Sequence, residues 1–92
     1  MECHDFGWAL FNLKQGKKVC REGWNGKGMW IVLVRGSGVP VTMNEPSTYR
    51  SAGLDRVEID SHIDMYTAGG TMQPGWLASQ SDMLAEDWQI VE

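Results

Sequence analysis

The chain has 92 residues, 42% of them hydrophobic, with 8 Lys and Arg against 12 Asp and Glu for a formal charge of −4. That length admits a single domain, residues 1–92, since so short a chain hides only a little over ~60% of its unfolded surface and gains by burying more between subunits. The acidic balance excludes a DNA or RNA binder of the usual basic kind, no stretch approaches the ~18 apolar residues of a membrane span, and five Trp are too many for a disordered chain.

The opening MECHDFGW has no basic region followed by an apolar run, so no secretory leader is expected and the chain reads as cytoplasmic. Asp5 is a good N-cap, and Phe6, Ala9, Leu10 and Leu13 then recur at helical spacing until Gly16, just past the basic Lys14, closes the helix. Lys17 to Arg21 turns extended around Val19 and Cys20. Residues 23–28, GWNGKG, hold three glycines, and Asn25-Gly26 is the strongest tight-turn dipeptide of the chain. Met29 to Val34, MWIVLV, is an unbroken apolar run rich in β-branched residues, the pattern of a central strand buried on both faces.

From Arg35 to about Ser51 the pattern dissolves into Gly, Ser, Pro, Asn and Thr, a long loop with one short strand at Val39 to Met43. Val57 and Ile59, then Ile63 and Met65, alternate with polar neighbours, so residues 56–67 read as sheet. Gly69-Gly70 turns the chain and Thr71 to Gln73 returns it as a hairpin that Pro74-Gly75 ends. Ser79 opens a short helix, with Asp82 three residues on in the manner of a capping box, and Met83 and Leu84 are expected to face inward. Trp88, Ile90 and Val91 form a closing strand. The sum is an α+β domain, two short helices on a small antiparallel sheet.

Candidate chemistry is sparse. The glycine cluster has the order G-x-x-G-x-G before a strand, which is neither the dinucleotide fingerprint nor the phosphate loop, because Arg21 stands where the latter needs Gly and Gly28 where it needs Ser or Thr. Two readings remain: a plain hairpin turn, or a nest of backbone N–H groups for an anion with Arg21 or Lys27 adding charge. Cys3 and Cys20 are too few and too unpatterned for disulfides or zinc, and His4 and His62 supply no ligand spacing, so no metal is expected. A Ser–His–Asp set can be drawn from Ser79, Ser81, Asp82, Glu86, Asp87, His62 and Asp64, yet no nucleophile elbow supports it and no catalytic residue is assigned. Trp8, Trp30 and Trp88 fit a core. Trp24 and Trp76 stand in Gly- or Pro-flanked turns, where a ring is hard to bury within its own domain, and each either plugs a subunit interface or offers a face for stacking.

FGWALFNLKQGKKV, REGWNGKGMW, HIDMYTAGGT and WLASQSDMLAEDWQIV together resemble the phage-encoded Thoeris anti-defence 2 family, over nearly the whole chain except residues 35–56. Members often carry Asp-Gly where this chain has Gly69-Gly70, a change that keeps the hairpin and removes any ligand contact from that Asp. The resemblance implies a sponge: a homo-oligomer, a tetramer, in the host bacterial cytoplasm that sequesters intact a cyclic ADP-ribose isomer of the 1''-3' glycocyclic type, and in some members cyclic oligonucleotides. It implies no catalysis, cofactor, nucleic-acid polymer or membrane. By the matching blocks, Trp24, Asn25, Gly26 and Gly28 form one wall of the site and Trp76, Ser79, Gln80 and Asp82 the other. The pyrophosphate then falls to Arg21 or Lys27, and Asp82 or Gln80 accepts from ribose hydroxyls. Two alternatives come from other classes, a protein–protein inhibitor of the TIR enzyme or its effector and a hydrolase of the cyclic nucleotide.

Overall fold

A computed structural model describes residues 4–40 and 48–92. Asp5 caps helix α1 (Phe6–Lys14) by accepting the Trp8 N–H at 2.9 Å, as its short side chain predicts. Ala9, Asn12 and Leu13 form the buried stripe of α1, and the buried Asn12 amide is satisfied by donating to the Trp8 carbonyl at 2.9 Å. At the far end Gln15 and Gly16 donate back to the last turn, and the chain leaves in strand β1 (Lys18–Arg21).

The strands that follow are β2 (Trp30–Val34), β3 (Ser37–Pro40), β4 (Arg56–Ile59), β5 (His62–Tyr66), β6 (Met72–Gln73) and β7 (Trp88–Val91). Five of them form one antiparallel sheet in the order β6-β5-β2-β1-β7, with the apolar run of β2 at its centre. β3 and β4 pair separately as a two-stranded ribbon. A single turn, α2 (Thr48–Ser51), precedes β4, and α3 (Gln80–Leu84) precedes β7. The fold is α+β as expected, with one helical turn more than the two foreseen. Strand β3 falls earlier than Val39 to Met43, and residues 41–43 of that expectation lie outside the described residues.

Register decides which side chains share a face, because strand neighbours alternate. Val19 opposes Ile31 and Ile90, Ile31 opposes Met65, and Arg21 opposes Trp88. This set faces α1, and with Ala9 and Leu13 it supplies the core of Val19, Ile31 and Trp88, all at most 1% exposed. The opposite face carries Lys18, Cys20, Trp30, Val32, Asp64 and Tyr66 and points away from α1. The expectation that MWIVLV is buried on both faces therefore holds for one face of this chain: Ile31 is buried, and its strand neighbours are half-buried.

Two further expectations are corrected. Met83 and Leu84 point outward, Leu84 being 77% exposed, because in so short a helix the inward position goes to Asp82. Asn25-Gly26 makes no primed tight turn, which needs positive φ at its first central residue, and at both in type I′, because neither residue has it. Positive φ in that stretch belongs to Gly28 (φ 79°), within a wide connection of residues 22–29 between β1 and β2. Among the described residues, no helix is long and apolar enough to cross a membrane.

Candidate functional site

At the end of the sheet where β1 leaves and β7 enters, three segments distant in sequence converge on two carboxylates. Arg21, last in β1, donates from Nε to Asp87 Oδ1 and from Nη1 to Asp82 Oδ1, both at 2.9 Å. The Trp24 indole donates to the same Asp82 oxygen at 3.0 Å. The other Asp82 oxygen accepts the Ser79 N–H at 3.0 Å, while Ser79 Oγ accepts the Asp82 N–H at 3.1 Å, which completes the capping box of α3. Gly23 N–H donates to Asp87 Oδ2 at 2.7 Å, and the Trp88 indole donates to the Asp82 carbonyl at 3.1 Å.

The electrostatics follow from this wiring. Burial pushes the Asp82 carboxyl up, but hydrogen bonds from Trp24, Ser79 and Arg21 outweigh it and hold Asp82 below the usual carboxylate range. Asp87 is lowered in the same way, burial opposing and Arg21 with the Gly23 N–H prevailing. The Arg21 guanidinium is raised further by the hydrogen bonds it donates, to Asp87 first and to Asp82 second. On the other face, burial and then the Asp87 charge raise the free Cys20 thiol. Cys3 lies outside the described residues.

Above the carboxylates stands an aromatic cluster. Trp24 meets Trp88 edge-on at 5.4 Å between ring centroids, Trp76 meets both, and Phe6 tilts against Trp76 and Trp88. Trp24 and Trp76 are thus half-buried against the core of their own domain, not stranded in turns. Arg21, Trp24, Trp76, Ser79 and Asp82 come together. Ser79 joins the cluster through its cap, whereas Asn25, Gly28 and Gln80 are exposed and stand apart from its hydrogen bonds. Gly26 is half-buried against Met29 and Ala68, where a Cβ would crowd the Met29 sulfur. Both oxygens of Asp82 are already engaged, so of the two residues suggested for ribose hydroxyls, Gln80 is the one with an exposed side chain.

Sequence reasoning missed Asp87 and Gly23 as members of this network. No local signal joins Arg21 to a carboxylate 66 positions away; only the β1–β7 register brings them together. The Ser–His–Asp sketch has its parts elsewhere: His62 Nε2 lies 3.2 Å from Asp64 and Nδ1 2.8 Å from the Asp60 carbonyl, whereas Ser79 serves its helix cap. No group of three or more His, Cys, Asp or Glu suited to a metal ion occurs among the described residues.

Residues 4–91 match the profile of the Thoeris anti-defense 2-like domain. The chain is also 36% identical over 94 residues, covering 94% of its own length and 92% of the relative's, to a Thoeris anti-defense 2 protein of Bacillus phage SP01. The chain belongs to the Thoeris anti-defense 2-like family. The match runs through residues 35–56, where no aligned pattern was legible in the sequence. In this Thoeris anti-defense 2-like domain, REGWNGKGMW and WLASQSDMLAEDWQIV are the two stretches that Arg21, Trp24 and Trp76 tie together around Asp82.

Proposed function

We propose that this protein blocks anti-phage immune signalling by binding and sequestering, uncleaved, a cyclic ADP-ribose isomer of the 1''-3' glycocyclic type, and also cyclic oligonucleotides, as a homotetramer. Family membership over nearly the whole chain carries the anti-defence part of this reading. The convergence of the two matching stretches at Trp24, Trp76 and Asp82 supports the location of the ligand there. In this reading the half-buried rings of Trp24 and Trp76 stack on the adenine. Asn25 and the backbone of Gly26 and Gly28 line one wall, and Ser79 and Gln80 line the other and meet ribose hydroxyls. Lys27, exposed on the same loop, meets the pyrophosphate.

Arg21 and Asp82 act behind that surface. Their charges answer each other, and their role is to hold the Trp24 indole and the start of α3 in place. Calorimetric titration of the purified protein with the cyclic ADP-ribose isomer tests the reading. Saturable binding supports it, and absence of heat at ligand concentrations of about 100 µM refutes it, since that limit excludes an affinity tighter than roughly −5.5 kcal/mol.

A second reading, a protein–protein inhibitor of the TIR enzyme or its effector, draws on Phe11, Leu77 and Leu84, large apolar side chains 63%, 88% and 77% exposed. A pull-down of the TIR enzyme and of its effector in nucleotide-free buffer decides between them. Retention of either protein without any small molecule favours the second reading.

A further inference from the structure

Trp76 packs against the core at the end of a segment that has slipped by one residue along the strand beside it. β5 pairs with β6 at Met65 with Gln73 and Tyr66 with Met72, and that ladder continued would set Gly75 opposite Ile63. Trp76 donates to the Ile63 carbonyl instead, at 2.7 Å, so the chain between Gln73 and Trp76 holds one residue more than the ladder accommodates. The extra residue decides a face. By strict alternation Trp76 would fall on the side of Asp64, away from α1; shifted by one, its indole lies with Phe6, Trp24 and Trp88. Gly75 takes a positive φ of 77° at this insertion, and its N–H leaves the ladder for a side chain.

That side chain is Asp64, whose Oδ1 accepts the Gly75 N–H at 3.0 Å. The same oxygen lies 3.2 Å from Nε2 of His62, two residues earlier on the same face of β5. His62 Nδ1 lies 2.8 Å from the Asp60 carbonyl, an oxygen that can only accept. Both ring nitrogens therefore face acceptors. An imidazolium donates to both, whereas a neutral ring donates to one and turns a lone pair on the other. The charges around this ring come from few segments. β5 supplies Asp64, and the link from β4 supplies the Asp60 carboxylate. β2 sets Val34 opposite His62, followed by Arg35, whose guanidinium donates to the Lys14 carbonyl at 2.7 Å. Residues 74–76 carry no charge, and Lys18 stands in the row of Asp64 two strands away. We propose that His62 and Asp64 are positioning residues for Trp76: the pair pins the Gly75 N–H, the pinned insertion turns the indole toward the binding site, and the pin is firmest when His62 is protonated. The ligand in this proposal rests on the sequestering reading; the pin rests on the hydrogen bonds of the chain.

Titration calorimetry with the cyclic ADP-ribose isomer and the amide resonance of Gly75 test it together. Asp64→Ala, folded by circular dichroism, is expected to weaken binding about 3- to 10-fold, and Asp64→Asn, which keeps an acceptor for Gly75, to bind within about twofold of wild type. Across about pH 5 to 8, the span in which a histidine changes charge, wild-type affinity is expected to fall about threefold as pH rises, and the Gly75 resonance to move in step with the His62 ring signals. In His62→Gln both dependences are expected to vanish; His4 is present in either protein and so cannot cause the difference. Asp64→Ala that binds as wild type overturns the proposal. So does a Gly75 resonance that ignores the His62 titration, and this comparison decides alone should Asp64→Ala not fold. The resonances also separate the two readings, because they need no ligand. A wild type that binds no isomer removes sequestration while Gly75 and His62 still decide the pin, and a wild type that binds with Gly75 indifferent to His62 removes the pin and leaves sequestration standing.

Discussion

Truncating Arg21 leaves Asp82, 7% exposed, with a buried negative charge that only the Trp24 indole and the Ser79 N–H still meet. An uncompensated buried charge costs about 3 kcal/mol or more, so Arg21→Met is expected to lower the denaturant midpoint by that equivalent. The same wiring fixes an acid limit. Asp82 and Asp87 are depressed in the folded state, so their contribution is complete above the ordinary carboxylate value near ~3.9 and is lost as pH falls through their lower folded values. Asp82→Asn is expected to lower stability at pH 7 and to flatten the loss below pH ~4 in urea titrations at stepped pH. Under the sequestering proposal the turn tryptophans carry two jobs at once. Trp76→Ala is expected to weaken ligand binding about 5- to 150-fold, the loss of one stacked base, and also to destabilise the fold, since Trp76 packs on Trp24 and Trp88. Trp24→Phe keeps a ring but strips a donor from Asp82, so its binding defect should be the smaller of the two by calorimetry.

At the scale of elements, caps and strands were legible because their causes are local. Asp5, Ser79 and Asp82 cap their helices as their spacing predicts, and the alternation around Val57 and Ile63 marks real strands. Faces were not legible. MWIVLV gives no sign of which parity the helices cover; that follows from Val19 opposing Ile31, a pairing no local pattern encodes. Trp30, placed in the core by its apolar neighbours, consequently stands on the face away from the core, whereas Trp24 and Trp76 pack against Trp88. Trp30→Ala is therefore expected to cost about 1–2 kcal/mol, less than the ~3–5 kcal/mol for the fully buried Trp88→Ala, in paired thermal melts. The ribbon of β3 and β4 hangs on Gly36, whose N–H donates to Ser61 Oγ at 3.0 Å. A Cβ at Gly36 would lie 2.4 Å from the Ile59 carbonyl oxygen and 2.8 Å from the Ser61 nitrogen, both backbone atoms that cannot swing away. Gly36→Ala is expected to cost ~1–3 kcal/mol and to speed amide exchange at the β3–β4 pairing while β2 and β5 keep their protection.

The whole molecule is elongated, 52 × 25 × 25 Å, with a radius of gyration of 15.9 Å against about 12 Å for a compact chain of this length. Among the described residues α1 packs on one face of a small sheet and large apolar side chains such as Phe11, Leu77 and Leu84 stand exposed, so the proposed homo-oligomer would have apolar surface to bury. Around Asp82 one guanidinium meets two carboxylates, and the hydrogen bonds among them fix Trp24 and the start of α3 in place. The sequestering proposal requires that the ligand be retained without cleavage. Its most direct test is to incubate the protein with the cyclic ADP-ribose isomer, remove free ligand by gel filtration, denature the complex by heat and identify the released small molecule by mass spectrometry. Intact cyclic isomer, able to activate its effector again, is the predicted result; a linear, hydrated product, or protein that elutes with no ligand, would contradict it.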